Sequence, residues 1–153
     1  MTAAASDSRG PRATFHVRGD MFGANDQQNL VVRRLRALED AGHIDGYDVS
    51  VWSGRVRLTG TERPPVVGTY YSFARWADTA GVDISPFFTV RERESFVDGT
   101  ARELVLPVMC LAVWTDDGLE TVAPNVRDGE TTTVEDCLDG LADSRLAPVS
   151  AGE

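Results

Sequence analysis

The sequence predicts an α+β fold: an antiparallel or mixed sheet of about five to seven strands packed against two long helices and a short C-terminal helix. Apolar residues recur at helical spacing in two long segments, at Val31, Leu35 and Leu38 and again at Val66, Tyr70, Phe73, Ala74 and Ala77. Elsewhere, and above all beyond Phe87, they alternate with period two. Glycine, proline and Asp-Gly pairs stand between these runs, where tight turns need them. One domain is expected over residues 12–145, with a flexible leader at 1–11 and a flexible tail at 146–153. No linker and no internal repeat divides it.

Ala13, Phe15 and Val17 alternate with Thr14, His16 and Arg18, the pattern of a half-buried strand. Gly19 to Ala24 is a loop, and Asn25 can cap the first helix, with Gln28 in the reciprocal position of a capping box. That helix runs to about Ala41 and stops at Gly42. Tyr47, Val49 and Val51 alternate, Ser53-Gly54 turns, and Val56 and Leu58 alternate again, which predicts a tight hairpin. Pro64 and Pro65 preset the opening of the second helix. Gly68 inside it costs about 1 kcal/mol relative to alanine, and Gly81 ends it.

Beyond Phe87, Thr89–Phe96 and Arg102–Leu106 can form a hairpin through Asp98-Gly99. Val108–Trp114 and Leu119–Ala123 form a second through Asp116-Asp117-Gly118. The first arm of that second hairpin is apolar on both faces, so it is expected at the centre of a sheet covered on both sides. Pro107 belongs at a bend or strand start. Thr133 caps a last short helix carrying Val134, Cys137, Leu138 and Leu141, with Asp136 placed to reciprocate.

The chain holds 15 arginines and no lysine among 153 residues, beside 24 acidic residues, for a net charge of −9. Carboxylates hold water and counterions and keep like molecules apart, and arginine pairs with them in a planar fork that lysine lacks. The composition points to a cytoplasmic protein of an extreme halophile, although GC-rich coding alone would also favour arginine. No apolar run approaches the ~20 residues that cross a bilayer, so no membrane partner is expected. The polar start at Met1–Gly10 has no signal core. Cys110 and Cys137 are too few for a disulfide framework and sit at apolar positions, so both are expected as buried free thiols. The acidic balance argues against a broad electrostatic footprint for nucleic acid. At molar salt, however, counterion release is nearly spent, and a binder needs local arginines rather than a basic whole.

Two arginine-bearing segments are candidates for such a contact. Ala77, Gly81 and Val82 match the demands of a helix-turn-helix: a small residue inside the first helix, a glycine to reverse the chain and a hydrophobe just after. A second helix would start at Asp83, with Pro86 in its first turn and Phe87 toward the core. Arg91 and Arg93 would then contact phosphates, and Thr89 a base edge. The same stretch, Thr89 to Phe96, alternates with period two, so a strand following the helix fits it as well. Arg33, Arg34 and Arg36 on the first helix could also touch phosphates; the simpler alternative is a solvated face pairing with Glu39 and Asp40.

No catalytic constellation and no metal-ligand spacing accompanies His16 or His43, and no glycine-rich phosphate loop is present, so neither an enzyme nor a cofactor is expected. Asp128-Gly129-Glu130 lacks the regular ligand alternation of a calcium loop and reads as a turn.

Residues 13–142 resemble small haloarchaeal proteins of a helix-turn-helix domain family. The resemblance is carried by Glu103 to Trp114, by Asp117-Gly118, by Asp128-Gly129-Glu130-Thr131, by Val49-Ser50-Val51-Trp52 and by Ser85-Pro86-Phe87-Phe88. It implies a DNA-binding or regulatory role and carries over no catalytic residue. The expected function is a small non-enzymatic regulator that binds DNA. The alternative is an α+β module that binds another protein or a second copy of itself through the hairpins at Tyr47–Leu58 or Val108–Ala123.

Overall fold

The computed structural model describes residues 10–19, 26–59, 64–95 and 99–151. Most of the expected leader, the loop and cap at 20–25, Phe96 and Asp98 of the expected hairpin, and the last two residues lie outside the described residues. The fold is α+β. In chain order the elements are β1 (Arg12–Arg18), α1 (Asp26–Asp40), β2 (Gly46–Trp52), β3 (Arg55–Arg57), α2 (Pro65–Ala80), β4 (Thr89–Ser95), β5 (Gly99–Val105), β6 (Met109–Thr115), β7 (Gly118–Ala123), β8 (Asn125–Arg127), β9 (Glu130–Thr132) and α3 (Val134–Ala151).

The strands divide among three sheets rather than joining one. A four-stranded mixed sheet has the order β2-β1-β6-β7, a three-stranded antiparallel sheet the order β3-β5-β4, and β8 pairs with β9. The C-terminal helix is also not short, at 18 residues. The four-stranded sheet is covered on both faces, because successive residues of its strands point to opposite sides. Phe15, Leu111 and Val113 face α1 and α3, meeting Val31, Leu35, Leu138 and Leu141 in one core. Cys110, Ala112 and Val122 face the other way, into a second core with Phe73 and Ala77 of α2 and Leu104 of β5. β6 is therefore the central strand its two-faced apolarity predicts, with Cys110 to Val113 all buried.

The expected hairpin of Tyr47–Leu58 does not form. β1 crosses through α1 to β2, and such a crossover sets the two strands parallel, with Phe15 opposite Val49 and His16 opposite Ser50. β3 then leaves for the other sheet, where Val56 pairs with Leu104. Gly54 is not among the glycines at positive φ, as a two-residue hairpin turn requires. It lies instead against the Arg18 guanidinium, where a Cβ would come within 2.6 Å of a terminal nitrogen.

The segment after α2 is not a second helix. Gly81 closes α2 in the left-handed region at φ 74°, and the Val82 N–H donates back to the Ala77 carbonyl at 3.0 Å. Asp83 and Val126 exchange two backbone hydrogen bonds of 2.9 Å. The Asp83 carboxylate accepts from the Ser85 N–H at 2.9 Å and the Ser85 hydroxyl at 2.7 Å, which holds its pKa below the usual carboxylate value. One turn follows, in which the Phe87 and Phe88 N–H groups both donate to the Ile84 carbonyl at 2.9 Å. β4 begins at Thr89 and pairs with β5 over its full length. Of the two readings open for residues 77–95, a helix-turn-helix or a helix followed by a strand, the second is the one that forms. The alternation decides it: a strand puts Val90 into the second core opposite Leu104 while Arg91 and Arg93 stay out. Phe88, 1% exposed, enters the core, and Phe87 packs against the same core partly buried, on the side expected for it; burying a ring such as that of Phe88 contributes about 1.5–3 kcal/mol.

Candidate nucleic-acid interface

Period two in a strand separates charges as well as it separates apolar from polar residues. Along β4, Glu92 and Glu94 alternate with Arg91 and Arg93, so the two signs fall on opposite faces. Register across the sheet then lines up the outer face. Arg57 stands opposite Glu103 and Glu103 opposite Arg91; Arg55 stands opposite Val105 and Val105 opposite Thr89; Arg93 stands opposite Ala101. The inner face of the same strands carries Val56, Leu104 and Val90 into the second core.

The outer face therefore gathers four exposed arginines, Arg55, Arg57, Arg91 and Arg93, around one carboxylate. Glu103 receives Arg91 Nε and Arg93 Nη1, each at 3.4 Å. Its side chain is 16% exposed, against 53% and 63% for the two arginines. Ion pairs of such length and exposure contribute little to stability. Counted over the described strand residues of this face, one carboxylate among four guanidiniums gives a formal +3, on a chain of −9. Glu103 holds Arg91 and Arg93 side by side without neutralising them. Guanidiniums on one strand face, about 7 Å apart along the strand, suit forked hydrogen bonds to phosphate oxygens.

Thr89, Arg91 and Arg93 thus lie together, on a strand instead of a recognition helix. Arg33, Arg34 and Arg36 do not join them. Their helix α1 packs on the opposite side of the four-stranded sheet, through Val31, Leu35 and Leu38. Arg34 is held by Asp139 of α3 at 2.6 Å, rather than by the expected Glu39 or Asp40. Arg33 and Arg36 are exposed beside Asp26 and Asn29. Arg55 and Arg57 were not anticipated as site residues. The alternation Arg55-Val56-Arg57 marks them as pointing away from the core, but only the pairing of β3 with β5 brings them to Arg91.

Elsewhere burial keeps reactive groups neutral. Ser50, His16 and Cys110 form one cross-strand row on the second-core side of the four-stranded sheet. Burial lowers the His16 pKa from 6.5 to about 4, and pushes the fully buried Cys110 thiol well above its ordinary value. Burial raises Cys137 to about 12. Both cysteines are free and buried, as their apolar settings predict. Asp128 and Gly129, at φ 53° and 82°, form the two-residue turn joining β8 to β9. Among the described residues, no three His, Cys, Asp or Glu side chains gather as a metal site, and no helix is long and apolar enough to cross a membrane.

Comparison with curated proteins and with solved structures gave no match. Among the described residues at least two strands separate each helix from the next. A family model described as a helix-turn-helix domain nevertheless matches residues 5–146, most of the chain, and the chain belongs to that family.

Proposed function

We propose that this protein is a non-enzymatic, DNA-binding regulator that grips duplex DNA through the arginine-bearing face of its three-stranded sheet. The observation that carries the reading is the convergence of Arg55, Arg57, Arg91 and Arg93 from two strands onto one exposed face of an otherwise acidic molecule. Membership of a helix-turn-helix family supports a DNA partner. A sheet can serve that partner without a recognition helix, because the major groove also admits a two-stranded ribbon. Beyond the three residues of β3, β4 and β5 continue as such a ribbon, with Arg93 on its outer side. The arginines contact phosphates and set the position; Thr89, beside them, is the candidate for a base edge. The acidic remainder of the surface suits work in the cytoplasm of a halophile, where local guanidiniums matter more than overall charge.

The test is retention of duplex DNA in a gel shift in concentrated potassium chloride. Arg91→Ala plus Arg93→Ala, and Arg55→Ala plus Arg57→Ala, are each expected to weaken retention at least tenfold. Arg33→Ala plus Arg36→Ala, on the opposite side, is expected to leave it unchanged. Equal retention by all three variants contradicts the assignment.

A second reading, self-association, is favoured by one specific feature. β2 is an edge strand of the four-stranded sheet, and its Val49 and Val51 are 48% and 63% exposed. Exposed apolar edge strands invite pairing with another chain. Light scattering that gives twice the monomer mass, reverting to monomer in Val51→Lys, is the result that reading requires.

A further inference from the structure

A cavity of about 470 Å³ opens where the β2–β3 connection meets the first turn of α2. This volume is in the usual range for small-molecule sites. Its walls include the rings of His16 and Trp52, the side chain of Val56, and the hydroxyl residues Ser50, Ser53 and Thr69. Among the described residues that line it, none is a charged aspartate, glutamate or arginine. His16 is 8% exposed and lies flat on Trp52, with centroids 4.6 Å apart and planes 11° apart, while Phe73 meets it at a steep interplanar angle of 68° with centroids 5.8 Å apart. Its Nδ1 is buried with no hydrogen-bond partner. A buried polar atom left unpaired is destabilising, and an apolar ring would fill the same place at no such cost. The ring of this histidine forms part of the cavity wall.

The hydroxyls specify the ligand further. Ser53 donates its hydrogen to the Arg55 carbonyl at 2.9 Å, and Thr69 to the Pro65 carbonyl at 3.3 Å. Each then offers lone pairs, not a proton, to the cavity. An occupant should therefore bring the donor itself. It should be flat enough to use the aromatic wall, and uncharged, because none of the described residues lining the cavity supplies a counter-charge.

We propose that this cavity binds a small, uncharged aromatic molecule carrying an N–H or O–H donor. Val56 touches the ligand from the strand whose outer side bears Arg55 and Arg57, so the site lies directly behind the arginine face.

The probe is indole, titrated calorimetrically into the full chain without nucleic acid, so that the result is independent of the DNA-binding reading. Indole is expected to give saturable one-to-one heat, and 1-methylindole, which lacks the donor, to bind about tenfold more weakly. Thr69→Phe, which fills the cavity, is expected to abolish binding while circular dichroism stays native. Ser53→Ala, a smaller change, is expected to erase the preference for indole over its methylated form. Absence of saturable heat with indole overturns the proposal. So does undiminished binding in folded Thr69→Phe, or equal affinity for the two indoles in the unmodified chain.

Discussion

Thr133 and Asp136 exchange two hydrogen bonds of 3.0 Å, the Thr133 hydroxyl accepting from the Asp136 N–H and the Asp136 carboxylate from the Thr133 N–H. Their spacing gives this capping box away in the sequence, since the geometry involves only neighbours along the chain. Thr133→Ala is expected to lower stability by about 1 kcal/mol, read from the midpoint of urea unfolding. His16 is the contrary case. Nothing near it in sequence shows that Trp52 and Phe73 will enclose it, and the half-buried-strand pattern that sets it on the side of Thr14 and Arg18 gives no sign of its burial. With the folded pKa near 4 against 6.5 unfolded, the unfolded chain takes up a proton that the folded chain refuses. Stability is therefore lost as pH falls from about 6.5 to about 4, by about 3 kcal/mol from this group alone. His16→Phe keeps a ring on Trp52 and removes the titration. Its stability should fall correspondingly less between pH 7 and pH 4; parallel curves for the two proteins would contradict the burial argument.

At the level of elements, local pattern was enough to place the three helices among the described residues, though not to give the length of the last or to dismiss a helix from Asp83. Val31, Leu35 and Leu38 are the buried residues of α1, and Phe73 and Ala77 are buried in α2. Pro64 and Gly81 stand at the two ends of α2, as their backbone preferences dictate. Gly68 is the one weak position of that helix. It is exposed, and a Cβ built on it meets nothing within 4 Å. Gly68→Ala should therefore raise stability by about 0.5–1 kcal/mol, measured by thermal or urea unfolding. Strand pairing was less legible, because alternation tells which residues share a face but not which strand lies alongside. Ser53-Gly54 between two alternating runs looks like a hairpin, and only the long crossover from β1 assigns those runs to different sheets. The hairpins of β4–β5 and β6–β7, closed by short connections, were readable for the opposite reason. Thr89–Ser95 satisfied two patterns at once, and pairing with β5 over all seven residues chose between them.

The whole molecule is a layered arrangement in which one apolar sheet separates two cores. Its arginines divide accordingly. Arg33, Arg34 and Arg36 belong to the α1 side, and Arg34 serves to fasten α1 to α3. Arg55, Arg57, Arg91 and Arg93 belong to the other, where Glu103 is the one carboxylate among the described strand residues of that face. Half of that site was visible as Arg91 and Arg93. The other half could not be, because its assembly depends on β3 joining β5 across about 45 residues of sequence. Net charge alone would dismiss a nucleic-acid partner, yet the division of charge by strand faces creates a basic surface that a sum over the chain conceals. The salt dependence of DNA binding tests this most directly. The unmodified chain should lose affinity linearly on a log–log plot against potassium chloride concentration, and Arg91→Ala plus Arg93→Ala should flatten the slope by about 2, one for each phosphate contact removed. A slope identical in the two proteins, or one flattened instead by Arg33→Ala plus Arg36→Ala, would contradict the account.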